Sequence, residues 1–225
     1  DCDFDEALST TVRTSFANQG QICLCGSRLY VQSGIYEKFK AALIEKVSRI
    51  VPGNPSEDKT KMGALVSEPH LNKVLSFVEL AEQEGGTVIC GGERVVLEGE
   101  NAGGYFMLPT IIEGLNAQCR TNQEEIFGPV VTISPYETFD DALKLVNDSR
   151  FGLQAGVFTN DINRAFEAHR TIEVGGVIIN DVSAFRADQM PYGGSKDSGF
   201  GREGLRFAME EMTEPRIMVL SHVPL

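Results

Sequence analysis

With 225 residues, 42% of them hydrophobic and 23% charged, the chain can bury a substantial core and has the make-up of an ordinary globular protein. Its 32 acidic against 20 basic residues leave a formal charge of -12, a field that repels polyphosphate, so neither nucleic acid nor an anionic membrane surface is an expected partner. No apolar run approaches the ~20 residues of a membrane helix, and the acidic start Asp1-Cys2-Asp3-Phe4-Asp5-Glu6 is unlike a basic secretion signal, so a cytoplasmic location is expected.

In chain order, apolar residues at helical spacing predict a helix over Asp5–Gln19, broken by Gly20, then a strand over Ser27–Gln32 and an amphipathic helix over Ile35–Ile50 closed by Pro52-Gly53. Pro69 suits the first turn of a helix that runs through Leu71, Val74, Leu75, Val78 and Leu80 to Gly85-Gly86. A short strand follows at Thr87–Cys90, the polar stretch Glu93–Gly104 reads as a surface loop, and strands follow at Tyr105–Ile112 and Val130–Tyr136. Thr138 opens a helix over Phe139–Val146. Beyond it come a strand at Ala155–Phe158, a helix at Ile162–Thr171 and an apolar strand at Val174–Ile179, expected to be buried on both faces. A helix over Glu203–Met212 and a last strand at Pro215–Ser221 complete the chain. Such alternation predicts an α/β fold, a wound and mostly parallel sheet flanked by helices, divided into residues 1–212 and a strand and tail at 213–225.

The five cysteines, Cys2, Cys23, Cys25, Cys90 and Cys119, are odd in number and without paired spacing, which predicts reduced thiols. Cys23-Leu24-Cys25 is too tight for a zinc knuckle and has no histidine beside it, so no metal site is expected. A thiolate attacks carbonyl carbon far better than a hydroxyl does, but an ordinary thiol is little ionised at neutral pH and needs help from its site. Gly20 and Gly26 leave room around Cys23 for backbone N–H groups to face the sulfur or an oxyanion. Local chemistry alone favours a small buried thiol.

The stretch Phe16-Ala17-Asn18-Gln19-Gly20-Gln21-Ile22-Cys23-Leu24-Cys25-Gly26-Ser27-Arg28 resembles the cysteine segment of the aldehyde dehydrogenase superfamily. About a hundred residues on, Glu125-Ile126-Phe127-Gly128-Pro129 resembles the same family's Glu-x-Phe-Gly-Pro signature. A third match follows Asn180: the run from Pro191-Tyr192-Gly193-Gly194 to Gly199-Phe200-Gly201-Arg202-Glu203-Gly204 is similar to the family's C-terminal segment. The three matches lie in family order and extend over essentially the whole chain.

This resemblance implies that Cys23 is the catalytic nucleophile and that Cys25 is a packing residue. It implies that Glu125 bonds the nicotinamide ribose, as a carboxylate accepting from a diol can, and that Phe127 packs beside the ring. Phe185, Arg186 and Tyr192 fall in the loop that lines the substrate tunnel, and a guanidinium at Arg186 favours an aldehyde bearing an anionic group. A surface Arg186 paired with Asp188 is the plainer alternative.

NAD is the implied cofactor, with NADP left open, and the implied reaction has four steps. The Cys23 thiolate attacks the aldehyde, hydride passes from the thiohemiacetal to nicotinamide, a thioester forms, and activated water hydrolyses it. The family's general-base Glu, oxyanion Asn and nucleotide-binding domain have no counterpart here, so the chain is expected to be a fragment with little or no dehydrogenase activity by itself. The last strand is implied to pair with a neighbouring subunit, giving a homodimer or homotetramer. Two rival readings stay open: a truncated paralogue acting as an oligomerisation or interaction module, and a thiol sensor using Cys23 and Cys25.

Overall fold

The computed structural model of the chain describes residues 1–222. Its first helix, α1 (Phe4–Phe16), starts where Asp3 accepts a 2.9 Å bond from the Glu6 amide, with Asp5 and Glu6 in the first turn against the positive end of the dipole. After it come β1 (Arg28–Gln32), α2 (Tyr36–Val47) and α3 (Glu68–Gln83), the last capped by the Ser67 hydroxyl and opened by Pro69. The expected Tyr105–Ile112 strand is divided. Between β2 (Thr87–Cys90) and the end of that stretch lie β3 (Arg94–Val95), β4 (Phe106–Met107) and β5 (Thr110–Glu113). The break falls at Leu108-Pro109, where proline has no amide for a ladder bond. The predicted loop Glu93–Gly104 contains β3, which pairs antiparallel with β4.

The second half holds α4 (Arg120–Gln123), β6 (Val130–Tyr136), α5 (Phe139–Asn147), β7 (Phe151–Gly152), β8 (Gln154–Val157), α6 (Ile162–Thr171), β9 (Gly176–Ile179), β10 (Ser195–Lys196) and α7 (Leu205–Glu211). A reciprocal pair of bonds between Thr138 and Asp141 fixes the start of α5.

The main sheet has the order β1-β6-β5-β2, parallel except for β2. Successive residues of a strand face opposite sides, so Ile111, Val131 and Ile133 meet Leu8, Phe39, Leu43 and Val47 of α1 and α2, while Ile112 and Val130 meet Leu71, Val74, Val78 and Ala81 of α3. Helices thus cover both faces, the arrangement expected of an α/β fold.

Strands β8 and β9 form a separate parallel pair. They pack on α5 and α6 through Leu143, Ala168 and Ile172. This corrects the expectation for the apolar run Val174–Ile179: β9 is half-buried and Ile179 is 36% exposed. A strand with one neighbour and helices on one side needs apolar residues for only that side. Both β1 and β8 line, along their whole lengths, a groove of about 560 Å³ that reaches from Asp1 and Cys2 to Cys23.

The predicted last strand, expected to pair with a neighbouring subunit, is not formed in the single chain. Residues 215–221 take no strand conformation, and Ile217, Met218, Val219 and Leu220 are all exposed. A strand exists through the hydrogen bonds of a neighbour, and this segment has none among the described residues. The end of the predicted tail, residues 223–225, lies outside the described residues.

Candidate active site

The cysteine loop begins where α1 unwinds. Asn18 (φ 47), Gln19 (φ 58) and Gly20 (φ 66) are left-handed in succession, a conformation that costs roughly 1–2 kcal/mol for a residue with a Cβ. Bonds offset that strain. The Asn18 side chain donates to the Gln21 carbonyl at 3.1 Å, and the Gln21 side chain accepts from the Val66 amide at 3.1 Å. Gly20 lies against the Gly128 carbonyl with no room for a Cβ. The glycine of the first motif is therefore seated on the glycine of the second.

Within the loop the two cysteines have opposite surroundings. Cys23 is exposed, and its Sγ lies 3.0 Å from the Tyr192 hydroxyl. Cys25 is half-buried and donates to the Ser15 carbonyl at 3.2 Å. Burial pushes its thiol up to about 12, against a lowering bond with Ser27. Burial also raises the thiols of Cys90 and Cys119. Between the two loop cysteines, buried Leu24 anchors the turn, and its carbonyl accepts a 2.7 Å bond from Ser183.

The Glu125-Ile126-Phe127-Gly128-Pro129 turn leaves α4 with Ile126 buried and its two neighbours exposed. Glu125 lines the same groove as Cys23, and its carboxylate has no hydrogen-bond or ion-pair partner among the described residues. Phe127 is itself left-handed (φ 60). Its carbonyl accepts a 2.7 Å bond from the His70 ring N–H, and the two rings meet edge to face at 6.2 Å. The Lys73 ammonium donates to the Glu125 carbonyl at 3.1 Å.

In the C-terminal segment, Tyr192 pairs with Glu203 as an isolated antiparallel bridge, and the Arg202 guanidinium ties the Gly194 and Gly201 carbonyls at 2.8 and 2.7 Å. Arg186 lies 4.3 Å from the centre of the Tyr192 ring. Its ion-pair partner is Glu203 at 3.7 Å, and Asp188 is not the neighbour that the sequence suggested. Phe185 is 45% exposed, two residues beyond the Ser183 tether. The fold thus joins Cys23, Tyr192 and Arg186 in one chain of contacts and brings Glu125 to the same groove. Phe127 stands beside His70, and no contact ties Phe185 to Cys23.

Across residues 1–218 the chain matches the aldehyde dehydrogenase family. The chain belongs to that family. It is 44% identical over 221 residues to a 3-sulfolactaldehyde dehydrogenase of Priestia aryabhattai, covering 98% of this chain and 45% of that protein. Among solved structures it resembles betaine aldehyde dehydrogenase from Staphylococcus aureus in complex with NAD+, with a TM-score of 0.89 and 39% identity over 94% of this chain and 42% of that one. It also resembles aldehyde dehydrogenase 21 from Physcomitrella patens in complex with the reaction product succinate, with a TM-score of 0.91 and 39% identity over 97% of this chain and 44% of that one. The chain spans less than half the length of these relatives.

Three residues that hold this candidate site escape sequence reading. His70 and Lys73, one turn apart on α3, grip the backbone of the Glu125 turn. The Glu84 carboxylate accepts from the Arg120 amide at 2.8 Å and from the Thr121 hydroxyl at 2.6 Å, fixing the start of α4. Burial opposes ionisation of Glu84, but the Thr121 and Arg120 bonds outweigh it and lower its pKa. The His70–Lys73 spacing is visible in the sequence, but its target lies more than fifty residues away. Among the described residues, no helix is long and apolar enough to cross a membrane, and no group of three or more His, Cys, Asp or Glu is placed to hold a metal.

Proposed function

We propose that this chain is the cysteine-bearing catalytic part of an NAD-dependent aldehyde dehydrogenase, with Cys23 as the nucleophile. One observation carries the reading: of the two cysteines in the matched loop, Cys23 is exposed beside a hydroxyl at the groove, while burial holds Cys25 as an inert thiol. The Cys23 thiolate adds to the aldehyde carbon to give a thiohemiacetal, and loss of hydride from that carbon leaves a thioester for water to cleave. NAD, when bound, supplies the hydride acceptor. Glu125 and Phe127 suit it, the first as an unpartnered carboxylate open to a ribose diol and the second as an exposed ring on a fixed turn. NAD+ in one structural relative supports NAD, with NADP left open.

Arg186, with Tyr192 and Phe185, selects an aldehyde with an anionic tail. A relative named for a sulfonated aldehyde and another holding succinate support this class. The guanidinium sits on the Tyr192 ring and is held by Glu203 only at 3.7 Å, which leaves donors for a ligand. In the proposed assembly, residues 215–221 become a strand on a neighbouring copy in a dimer or tetramer, and the five free cysteines suit a reducing cytoplasm.

The test uses a full-length protein containing this sequence, with aldehyde-dependent NADH formation as the readout. Cys23→Ala abolishes turnover, whereas Cys25→Ala retains it. Arg186→Ala raises KM for a sulfonated or carboxylated aldehyde by roughly tenfold, the scale of one exposed charge-assisted contact, and leaves a neutral aldehyde unchanged. Activity surviving in Cys23→Ala sinks the nucleophile assignment, and equal KM changes sink the Arg186 assignment.

A further inference from the structure

We infer that the Tyr192 hydroxyl is a positioning residue for the nucleophile, donating a hydrogen bond that favours the ionised Cys23 sulfur and aims it into the groove. The inference rests on the reading of Cys23 as the nucleophile. Tyr192 and Cys23 are 169 positions apart, yet their side chains meet at 3.0 Å, well inside the reach of a hydrogen bond to sulfur. It is the single side-chain bond that Cys23 makes among the described residues.

The phenol is held from three directions. Its backbone is fixed by the bridge to Glu203, its ring face is covered by Arg186 at 4.3 Å, and the glycines that follow it are anchored by Arg202 through the Gly194 carbonyl. A tyrosine so fixed loses little further freedom when it holds the sulfur.

The direction of the bond follows from what each atom can offer. A thiolate has only lone pairs, so once Cys23 ionises the phenol must donate. It keeps its proton to do so. Burial, then the bond with Cys23 and its charge, and then the Glu203 carboxylate push the Tyr192 phenol up to about 12, while Arg186 opposes them. Cys23, Glu203 and Arg186 are the titratable and charged groups acting on the phenol. Tyr192 therefore stays a neutral donor throughout the range in which an ordinary thiol, near 8.5, ionises. Phenylalanine in its place would keep the ring under Arg186 and lose only the donor.

The experiment is the pH profile of Cys23 alkylation by iodoacetamide, read by peptide mapping in the 225-residue chain and in Tyr192→Phe. Cys90 and Cys119 serve as internal markers of an unchanged fold. Loss of the donor moves the half-maximal rate up by about one pH unit, a tenfold loss of thiolate at a pH below both midpoints. Tyr192→Leu, which also removes the ring, moves it at least as far. A wild-type Cys23 that reacts faster than Cys90 and Cys119, with a profile unmoved in Tyr192→Phe, overturns the inference and leaves Cys23 as the nucleophile. A wild-type Cys23 that reacts no faster than Cys90 or Cys119 overturns both. Should Tyr192→Phe fail to fold, alkylation of the wild-type chain containing fluorinated tyrosine decides: a more acidic phenol lowers the midpoint if it is the donor, and an unmoved midpoint overturns the inference.

Discussion

Replacing Gly20 by alanine tests whether the cysteine loop is seated on the Glu125-Ile126-Phe127-Gly128-Pro129 turn. The substitution adds one methyl group and two separable costs. Gly20 has φ 66, and alanine there pays roughly 1–2 kcal/mol for the left-handed backbone. The added Cβ would also run into the Gly128 carbonyl, which is backbone and cannot swing aside as a side chain would. Overpacking of that kind costs about 1–3 kcal/mol. The sum, roughly 2–5 kcal/mol, is a large share of the ~5–15 kcal/mol that holds a domain together. Gly85→Ala is the control, because Gly85 has φ 91 and open space around its Cβ direction. It carries the backbone strain without the clash. Urea unfolding followed by circular dichroism, with equal m-values, should place Gly20→Ala below Gly85→Ala by the clash alone, about 1–3 kcal/mol. The folded Gly20→Ala chain should also lose the fast alkylation of Cys23, three residues along the displaced loop. If the two alanine variants are equally stable and Cys23 keeps its rate, the loop is not pressed on that turn and the account of the site is wrong.

Two further outcomes follow from the supports around the site. The Glu84 carboxyl is lowered in the folded state, so its stabilisation is complete above the unfolded value near ~4.3 and is lost as pH falls through the folded value. Glu84→Gln should therefore cost under about 1 kcal/mol at pH 7, the interaction being screened by solvent, and less near pH 3, as seen in urea midpoints; an equal cost at both pH values would refute the electrostatic account. Val219→Asp, on the exposed segment after α7, should leave the unfolding midpoint of the isolated chain within about 0.5 kcal/mol of wild type while making the full-length protein smaller by sedimentation. An unchanged sedimentation coefficient would show that this segment does not join subunits.

Where local pattern and local structure have the same cause, the sequence could be read directly. The spacing of Ile162–Thr171 and the β-branched run in Val130–Tyr136 predict α6 and β6 to the residue, although Ile162 and Phe166 of α6 are exposed and Ala168 is its buried residue. Misreadings occur where structure depends on what lies alongside. The apolar run before Asn180 looks like a strand buried on both faces, but β9 has one strand beside it and helices on one side only. Pro215–Ser221, expected to pair with a neighbouring subunit, has no neighbour in the single chain to make it a strand. Pro109 was a legible signal, and its missing amide is where the predicted Tyr105–Ile112 strand divides.

The same distinction explains why Cys23 could be located by motif order but not by its own surroundings in sequence. Five contacts fix the short loop, and each reaches a different part of the chain: Gly20 to Gly128, Gln21 to Val66, Cys23 to Tyr192, Leu24 to Ser183, and Cys25 to Ser15. Only the last joins residues that a local reading could connect. The polar partner that distinguishes Cys23 from Cys25 comes from the far end of the chain, whereas Cys25 is silenced by burial and bonds to the helix just before it. A nucleophile built this way is a property of the folded chain. Breaking the Gly20 or Tyr192 contact should therefore change the reactivity of Cys23 while leaving every residue from Gln21 to Gly26 as it is.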